Sequence, residues 1–406
     1  MKMLLSIAWR NIWRHPGRSG VLIGSIVAGM WAGIMVSSWA NGLIEQRVNN
    51  VINEELTHVQ IHHPEFLAER EPGMHIEEHD EIVSFLENHS EIRSFTSRIL
   101  LDGMIQSSAT TSGVRIIGVD KENERETTTF HHNLTEGDYL SSDLRYPVIL
   151  GEKLINKLNA QMGDRIVLTF QNLENEITSG AFVVSGVFRT GQTLYDEQTV
   201  YVNQGDLTEL IADQSIFHEI AIMLEDGDDG EQLVSEINDK FSSVTAETWV
   251  DLSPEMRYMT EASGSYMFYI MIVILFALAF GILNTMTMAI FERMRELGML
   301  MAIGMNKVRI FTMIMLESVM LTLSGAALGM FLGYLTVNYF NRNGLDLTAV
   351  GGDSFEIWGY GALVYPYVTP QEYFYVTLLV IATALLAAVY PALKALKLVP
   401  GEVVRD

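Results

Sequence analysis

Four stretches of this chain carry almost no charge, and each is long enough to cross a lipid bilayer. Residues 19–44 and 262–291 contain no charged side chain, 310–341 contain only Glu317, and 373–393 contain none. About 20 apolar residues span the roughly 30 Å hydrocarbon core as a helix. A backbone in lipid must satisfy its own hydrogen bonds, so isolated runs of this length fold as helices. The expectation is four transmembrane helices at 19–44, 262–291, 310–341 and 373–393. The first run is longer than a signal-peptide core and is preceded by 18 residues with scattered basic side chains, so it reads as an uncleaved anchor.

Lysine and arginine fix the orientation. Lys2, Arg10, Arg14 and Arg18 precede the first span. Arg293, Arg295, Lys307 and Arg309 lie between the second and third, and Lys394, Lys397 and Arg405 follow the fourth. These segments, 1–18, 292–309 and 394–406, are expected in the cytoplasm. The long segment 45–261 has 14 basic and 41 acidic residues and is expected outside, with the loop 342–372. Its acidity argues against nucleic acid or an anionic leaflet as partner of that domain; the plain reading is solubility. The chain has no cysteine, and an external domain of this size can bury a core without disulfides.

The start of the chain places Leu4, Ile7, Ala8 and Ile12 at helical spacing, with Trp9 and Trp13 beside them, as an interfacial amphipathic helix does. Segment 45–261 reads as α+β. "LTHVQIH", "SFTSRILLDGMIQ" and "SGVRIIGVD" alternate as strands, and "DEIVSFLENH" has helical period. "VILGEKLINKLNAQMGDRIVLTF" reads as strand, helix, strand; "GAFVVSGVFRTG" and "EQTVYVN" follow as strands. "HEIAIMLED", "GEQLVSEINDKF" and "SVTAETWVDL" repeat strand, helix, strand. Two βαβ-like pieces thus flank a strand-rich insert at about 112–205. Residues 255–265 extend the second span as a stalk.

Gly325, Gly329 and Gly333 repeat every four residues on the third span, a small-xxx-small run that allows close helix approach; Gly20 with Gly24 and Gly29 with Gly33 do the same on the first. Glu317 inside the third span is read two ways: a hydrogen bond to a neighbouring span, or a snorkelling side chain near the cytoplasmic end.

Nucleotide chemistry is absent by motif. Gly-Lys occurs nowhere, which excludes GxxxxGK[ST]. No GxSxG elbow occurs, and without cysteine there is no thiol nucleophile. "HIEEH", His75 to His79, fits the HxxEH metalloprotease pattern with Glu78 as base. Pro72 and Gly73 precede it, however, and the helical period starts near Asp80, so the plainer reading is a solvated acidic turn. No metal or catalytic residue is assigned to the chain.

Between the second and third spans, "FERMRELGMLMAIGMNKVRI" packs Glu292, Arg293, Arg295 and Glu296 at spacings that pair along one surface. Met294, Leu297, Met301 and Met305 recur on another, expected against the membrane. Such a helix is a docking surface, and a chain without a nucleotide motif needs a separate motor to press on it.

Here the residues resemble a known family. "ERMRELGMLMAIGMNKVRIFTMIMLES" is similar to the coupling-helix signature of MacB/FtsX-type ABC permeases, and "YPALKALKLVPGEVVRD" to their C-terminal signature. "VILGEKLINKLNAQMGDRIVL" and "SGVFRTG" resemble their external core domain of porter-like and β-rich lobes. The resemblance implies a non-catalytic, multi-pass permease of the bacterial inner membrane. It implies two cytoplasmic ATPase subunits that bind ATP and Mg, a second permease, identical or homologous, and mechanotransmission to the external lobes. It assigns ATPase coupling to Glu292, Arg293, Arg295, Glu296, Leu297, Gly298, Ala302 and Gly304.

"SSWANGLIEQRVNNVI" resembles the region after the first span of the lipoprotein-releasing LolC and LolE permeases, with Leu43 where those have Phe. That branch implies lipoprotein or lipid as substrate and a periplasmic chaperone. LolC-like chains carry a long hook; here the matching hairpin, 170–182, is short and lacks proline, which points to the LolE-like partner or another substrate. An apolar groove for acyl chains is expected along Met30, Trp31, Met35 and Trp39 of the first span and Phe268, Met271 and Leu275 of the second. The alternatives are a MacB-like peptide or antibiotic efflux permease and an FtsX-like regulator of an envelope hydrolase.

Overall fold

The computed structural model describes residues 10, 14, 16–141, 143–211, 215–225, 230–347 and 363–396. The expected amphipathic stretch through Leu4, Ile7, Trp9 and Trp13, loop residues 348–362 and tail residues 397–406 lie outside these. The chain separates into two compact units, one of residues up to Ile44, Thr260–Asp346 and residues from Leu363 on, the other built from Glu45–Met259.

Among the described residues, Pro16–Val51, Pro254–Glu292, Lys307–Asn343 and Pro370–Ala395 are the four helices long and apolar enough to cross a membrane. At 36 and 39 residues, the first and second are about 54 and 58 Å long, well beyond the hydrocarbon thickness.

The third-span glycines meet the first span within this chain. A Cβ built on Gly325, Gly329 or Gly333 would lie 2.8, 2.7 and 2.8 Å from Ile26, Met30 and Ile34 respectively. These three first-span side chains are fully buried. Lipid gives helices no hydrophobic drive to associate, so the seam is held by van der Waals packing of large side chains into glycine sockets.

Among the described residues the external unit carries a sheet of ten strands, β1 (Val59–His62), β2 (Ile92–Gln106), β3 (Thr111–Val119), β4 (Leu134–Gly137), β5 (Pro147–Gly151), β6 (Arg165–Gln171), β7 (Ile177–Phe188), β8 (Thr199–Asn203), β9 (Glu219–Leu224) and β10 (Thr245–Thr248). The strands run in the order β10-β1-β9-β2-β3-β8-β5-β7-β4, and β6 pairs with both β2 and β7. Its helices are α1 (Phe66–Glu69), α2 (His79–Glu87), α3 (Lys121–Thr127), α4 (Glu152–Leu158), α5 (Thr193–Gln198), α6 (Gln204–Ile211), α7 (Glu231–Lys240) and α8 (Trp249–Leu252).

Strands β10, β1, β9 and β2 are antiparallel neighbours, so β1 and β2 are parallel with β9 between them, and β9 and β10 are parallel with β1 between them. These are two interleaved split βαβ units, and α2 and α7 cover them with Ile82, Leu86, Leu233 and Ile237. The strands of the insert at about 112–205 continue this sheet. Strand β2 is 15 residues long; Ile92–Arg98 pair with β9, and from Arg98 onward it pairs with β3. Strands β2, β3, β8, β5, β7 and β6 then close on one another as a six-stranded barrel. Ile99, Ile105, Ile116, Leu150, Ile166, Phe182 and Val202 fill it. Gly103 permits the closure: a Cβ there would lie 2.5 Å from the Thr169 carbonyl oxygen on β6.

His75 and His79 do not share a helical face, because α2 begins at His79. His79 stacks on Phe217 with centroids 3.9 Å apart, its Nε2 lies 2.8 Å from Ser97 Oγ, and Glu78 accepts from Ser243 at 2.7 Å. The hairpin 170–182 is a two-strand turn closed by Asn172, whose side-chain oxygen accepts from the Glu174 and Glu176 backbone.

Candidate functional site

The second span ends at Glu292, and Arg293 leaves helical geometry at φ −101°, ψ 11°. A short helix runs Met294–Ala302, and Gly304 follows at φ +98°, a conformation glycine enters without a Cβ clash. Asn306 then caps the third span, its side-chain oxygen accepting from Val308 N–H at 3.2 Å. Breaks on both sides make 294–302 a separate elbow helix.

Its inner side is packed on protein, which corrects the expectation for Leu297, Met301 and Met305; Met294 is half-buried. Leu297 and Gly298 are buried, Leu297 in one apolar core with Ile310, Met313 and Ile314, and Met301 and Met305 pack against that core. The turn at Arg293 also divides the four charges expected on one surface. Arg293 turns inward, its Nη1 donating to both Glu317 carboxylate oxygens at 2.9 and 3.0 Å. Of the two readings of Glu317, a bond to a neighbouring element or a snorkelling side chain, its carboxylate takes a bond from the residue that opens the elbow. Glu296 lies 3.3 Å from Arg14. The outward face carries Glu292, Arg295, Met299, Ala302, Ile303 and Gly304, and Ile303 is 84% exposed. Met299 and Ile303 went unremarked in the sequence; their spacing from Arg295 (i+4, i+8) was the available signal. Beside the elbow is a cavity of about 440 Å³, lined by Leu22, Met286, Leu297, Met313 and the Arg293–Glu317 pair, with the exposed Met299 and Ile303 at its rim.

The seven groove residues divide between interior and exterior instead of lining one groove. Met30 is buried in the Gly329 socket, and Met271 is buried against Gly33. Met35 and Leu275 pack partly buried on the same core. Phe268 is exposed, and Trp31 is 41% exposed with its indole N–H donating to Thr336 Oγ1 at 3.2 Å. Trp39 is partly buried, its indole nitrogen lacking a hydrogen-bond partner among the described residues. Helical spacing put these residues on one stripe, but Met30 lies one position round the helix, on the seam side.

A second polar contact joins the first and fourth spans. Glu372 accepts from Asn41 Nδ2 at 2.7 and 2.8 Å and from Ser37 Oγ at 3.3 Å. It also completes a capping box with Thr369 at the start of the fourth span. Gly42 lets the chain pass, since a Cβ there would lie 2.6 Å from the Tyr365 carbonyl oxygen. The Thr-Pro-Gln-Glu order of 369–372 was the sequence signal for Glu372.

Two family models match. The MacB-like periplasmic core domain matches residues 19–240, more than half of the chain, and the FtsX-like permease C-terminal domain matches residues 268–400. The chain belongs to the MacB/FtsX-type ABC permeases. This permease is 24% identical over 216 residues to an uncharacterized ABC transporter permease of Methanocaldococcus jannaschii, a match covering 50% of the chain and 51% of that protein. The chain therefore spans about half the length of that relative. It is 21% identical to the lipoprotein-releasing system transmembrane protein LolE of Haemophilus influenzae, over 78% of each chain. It is 25% identical to the macrolide export ATP-binding/permease protein MacB of Escherichia coli, over 35% of this chain and 23% of that one. Among solved structures, the periplasmic region of MacB from Actinobacillus actinomycetemcomitans aligns at 13% identity and TM-score 0.36, covering 52% of this chain and 97% of that one.

Proposed function

We propose that this permease receives force from a separate cytoplasmic ATPase at its elbow helix and uses it to move its external domain, releasing lipoproteins from the inner membrane. The observation that carries the first part is the outward face of 292–304, where apolar Met299 and Ile303 sit beside charged Glu292 and Arg295. Exposed apolar side chains amid charges favour a protein partner over plain solvent. The inward half is fixed by Leu297 and by the Arg293–Glu317 pair, so a push on the elbow reaches the third span. ATP and Mg belong to the partner chain, in two copies, beside a second permease.

The lipoprotein reading is supported by the similarity to LolE, which runs over 78% of both chains, whereas that to MacB covers 35% of this one. Mass spectrometry of the complex purified from native membranes tests both parts. An ATPase chain and lipid-modified polypeptides are expected. A complex with the ATPase and no acylated polypeptide overturns the substrate and favours peptide efflux or hydrolase regulation. A preparation without an ATPase overturns the coupling.

A further inference from the structure

Arg98 stands on β2 at the residue where pairing passes from β9 to β3, the boundary between the split βαβ lobe and the barrel. Its guanidinium is buried. Nε and Nη2 donate to the Glu124 carboxylate at 3.0 and 2.7 Å. Nη1 donates to Glu219 Oε1 at 2.7 Å and to the Glu55 carbonyl oxygen at 3.0 Å. The second Glu219 oxygen lies 3.1 Å from His62 Nε2 on β1. One side chain thus joins α3, β9 and the segment by which the chain enters the domain. A buried ionic cluster is weak evidence for stability, because desolvation offsets the attraction; its attested use is to fix one arrangement of parts.

The segment it holds is unusual. After Val51 the helix changes to a single π turn, Ile52–Leu56, and Thr57 follows at φ 58°, ψ −173°. A β-branched residue at positive φ is strained and persists only where its surroundings fix it. Single π turns concentrate at functional sites. Here Thr57 N donates to the Ile52 carbonyl at 2.9 Å, and Thr129 N to the Asn53 carbonyl at 2.8 Å.

The charges around the turn do not balance. Glu55 faces Arg47 from its own helix, Arg98 from β2, Glu219 from β9 and Tyr195 from α5. Glu54 faces Arg47, Glu55, Asn133 and Asp196. Burial, more than any neighbouring charge, disfavours the ionised forms of Glu54 and Glu55. Burial pushes Glu54 and Glu55 up to about 7. A carboxyl raised from 4.5 in this way favours the closed turn while protonated, and that contribution is lost as pH rises toward 7.

We propose that Arg98 is a positioning residue: it clamps the π turn to both external lobes at once, so that displacement of the turn moves the lobes together. This rests on the force-transmission reading above.

The test uses the full chain in lipid nanodiscs, as wild type, as Arg98→Gln and as the uncharged Arg98→Met/Glu124→Gln/Glu219→Gln. Hydrogen exchange is followed over residues 49–57 and 165–188. The distance between spin labels on Ser108→Cys and Ser235→Cys is measured too; both serines are exposed, and the chain has no cysteine of its own. In wild type, opening of 49–57, corrected for intrinsic exchange, is expected to rise through about pH 7. In Arg98→Gln that midpoint moves to higher pH, because the charge favouring the Glu55 carboxylate is gone. Opening at pH 6.5 increases at least tenfold, and the label distances broaden. In the triple variant, residues 165–188 keep wild-type exchange while 49–57 still opens and the labels still lose their correlation. Uniformly faster exchange in Arg98→Gln, with unmoved midpoint and unbroadened labels, overturns the proposal. If Arg98→Gln does not fold, wild-type behaviour of the triple variant overturns it. No ATPase is needed here, so either reading can fail alone.

Discussion

Breaking the Arg293–Glu317 pair from one side should cost far more than removing it whole. The two side chains are 11% and 10% exposed, and one Nη1 reaches both carboxylate oxygens. Glu317→Ala leaves a guanidinium in a desolvated site, which for buried pairs costs about 3–5 kcal/mol. At about 4 kcal/mol the equilibrium shifts nearly a thousandfold, each 1.4 kcal/mol being tenfold. Arg293→Met with Glu317→Leu fills similar volume with no charge left behind, and its cost should lie within about 1 kcal/mol of zero. Denaturant titration of the full chain in mixed micelles, followed by tryptophan fluorescence, measures both variants. Hydrogen exchange over residues 290–305 locates the effect. Equal losses for the single and double variants would refute the reasoning, because they would mean that water reaches the pair. The double variant also separates stability from transmission. It should still bind the ATPase, yet ATP-driven release of substrate should fall several-fold, since the elbow is no longer linked to the third span by charge.

Met299→Glu with Ile303→Glu should abolish ATPase pull-down and leave thermal unfolding unchanged, both side chains being exposed. Glu292→Ala with Arg295→Ala should weaken the same pull-down without unfolding the external domain, checked by circular dichroism. Gly329→Ile drives new atoms into Met30, 2.7 Å from a built Cβ. It should cost about 1–3 kcal/mol by overpacking, and a Met30→Cys/Gly329→Cys crosslink in the otherwise cysteine-free chain should form in the parent background and be lost in Gly325→Ile, where new atoms meet Ile26. His218 is buried neutral, stacked on Phe66, with Nδ1 accepting from Leu100 N–H at 3.2 Å and Nε2 lying 3.0 Å from the Pro72 carbonyl. Burial pushes it from 6.5 down to about 4, so stability falls as pH drops through that window and levels off below it. His218→Asn should flatten the acid limb of the unfolding curve relative to wild type by up to about 3 kcal/mol, at 1.36 kcal/mol per pH unit.

The four long helices were legible because runs of this length with at most one charge admit few other folds in a membrane. The Gly325, Gly329 and Gly333 repeat was legible as close approach, though not its partner, because spacing on one helix says nothing of which helix fills the sockets. Barrel closure was not legible. It depends on β6 meeting β2 some sixty residues away, and strand alternation reports which face is buried but not which strand lies alongside. Helices α3, α5 and α6 were missed because each buries only one or two side chains, whereas α4, equally short, buries Leu154, Ile155 and Leu158 at helical spacing. In the elbow the spacing of Glu292, Arg293, Arg295 and Glu296 was read as one continuous helix. The break at Arg293 rotates the helix 294–302 relative to the second span, so one arginine turns inward while its neighbours stay outside.

The glycine seam has a pitch. Its sockets repeat every four residues, about 6 Å along the axis. Sliding the two helices by less than that lifts Ile26, Met30 and Ile34 onto ridges together, so intermediate offsets are disfavoured all at once. The pair is thus indexed like a rack: small thermal displacements are returned to the same notch, and whatever travels during a work cycle should do so along other helix contacts than this one.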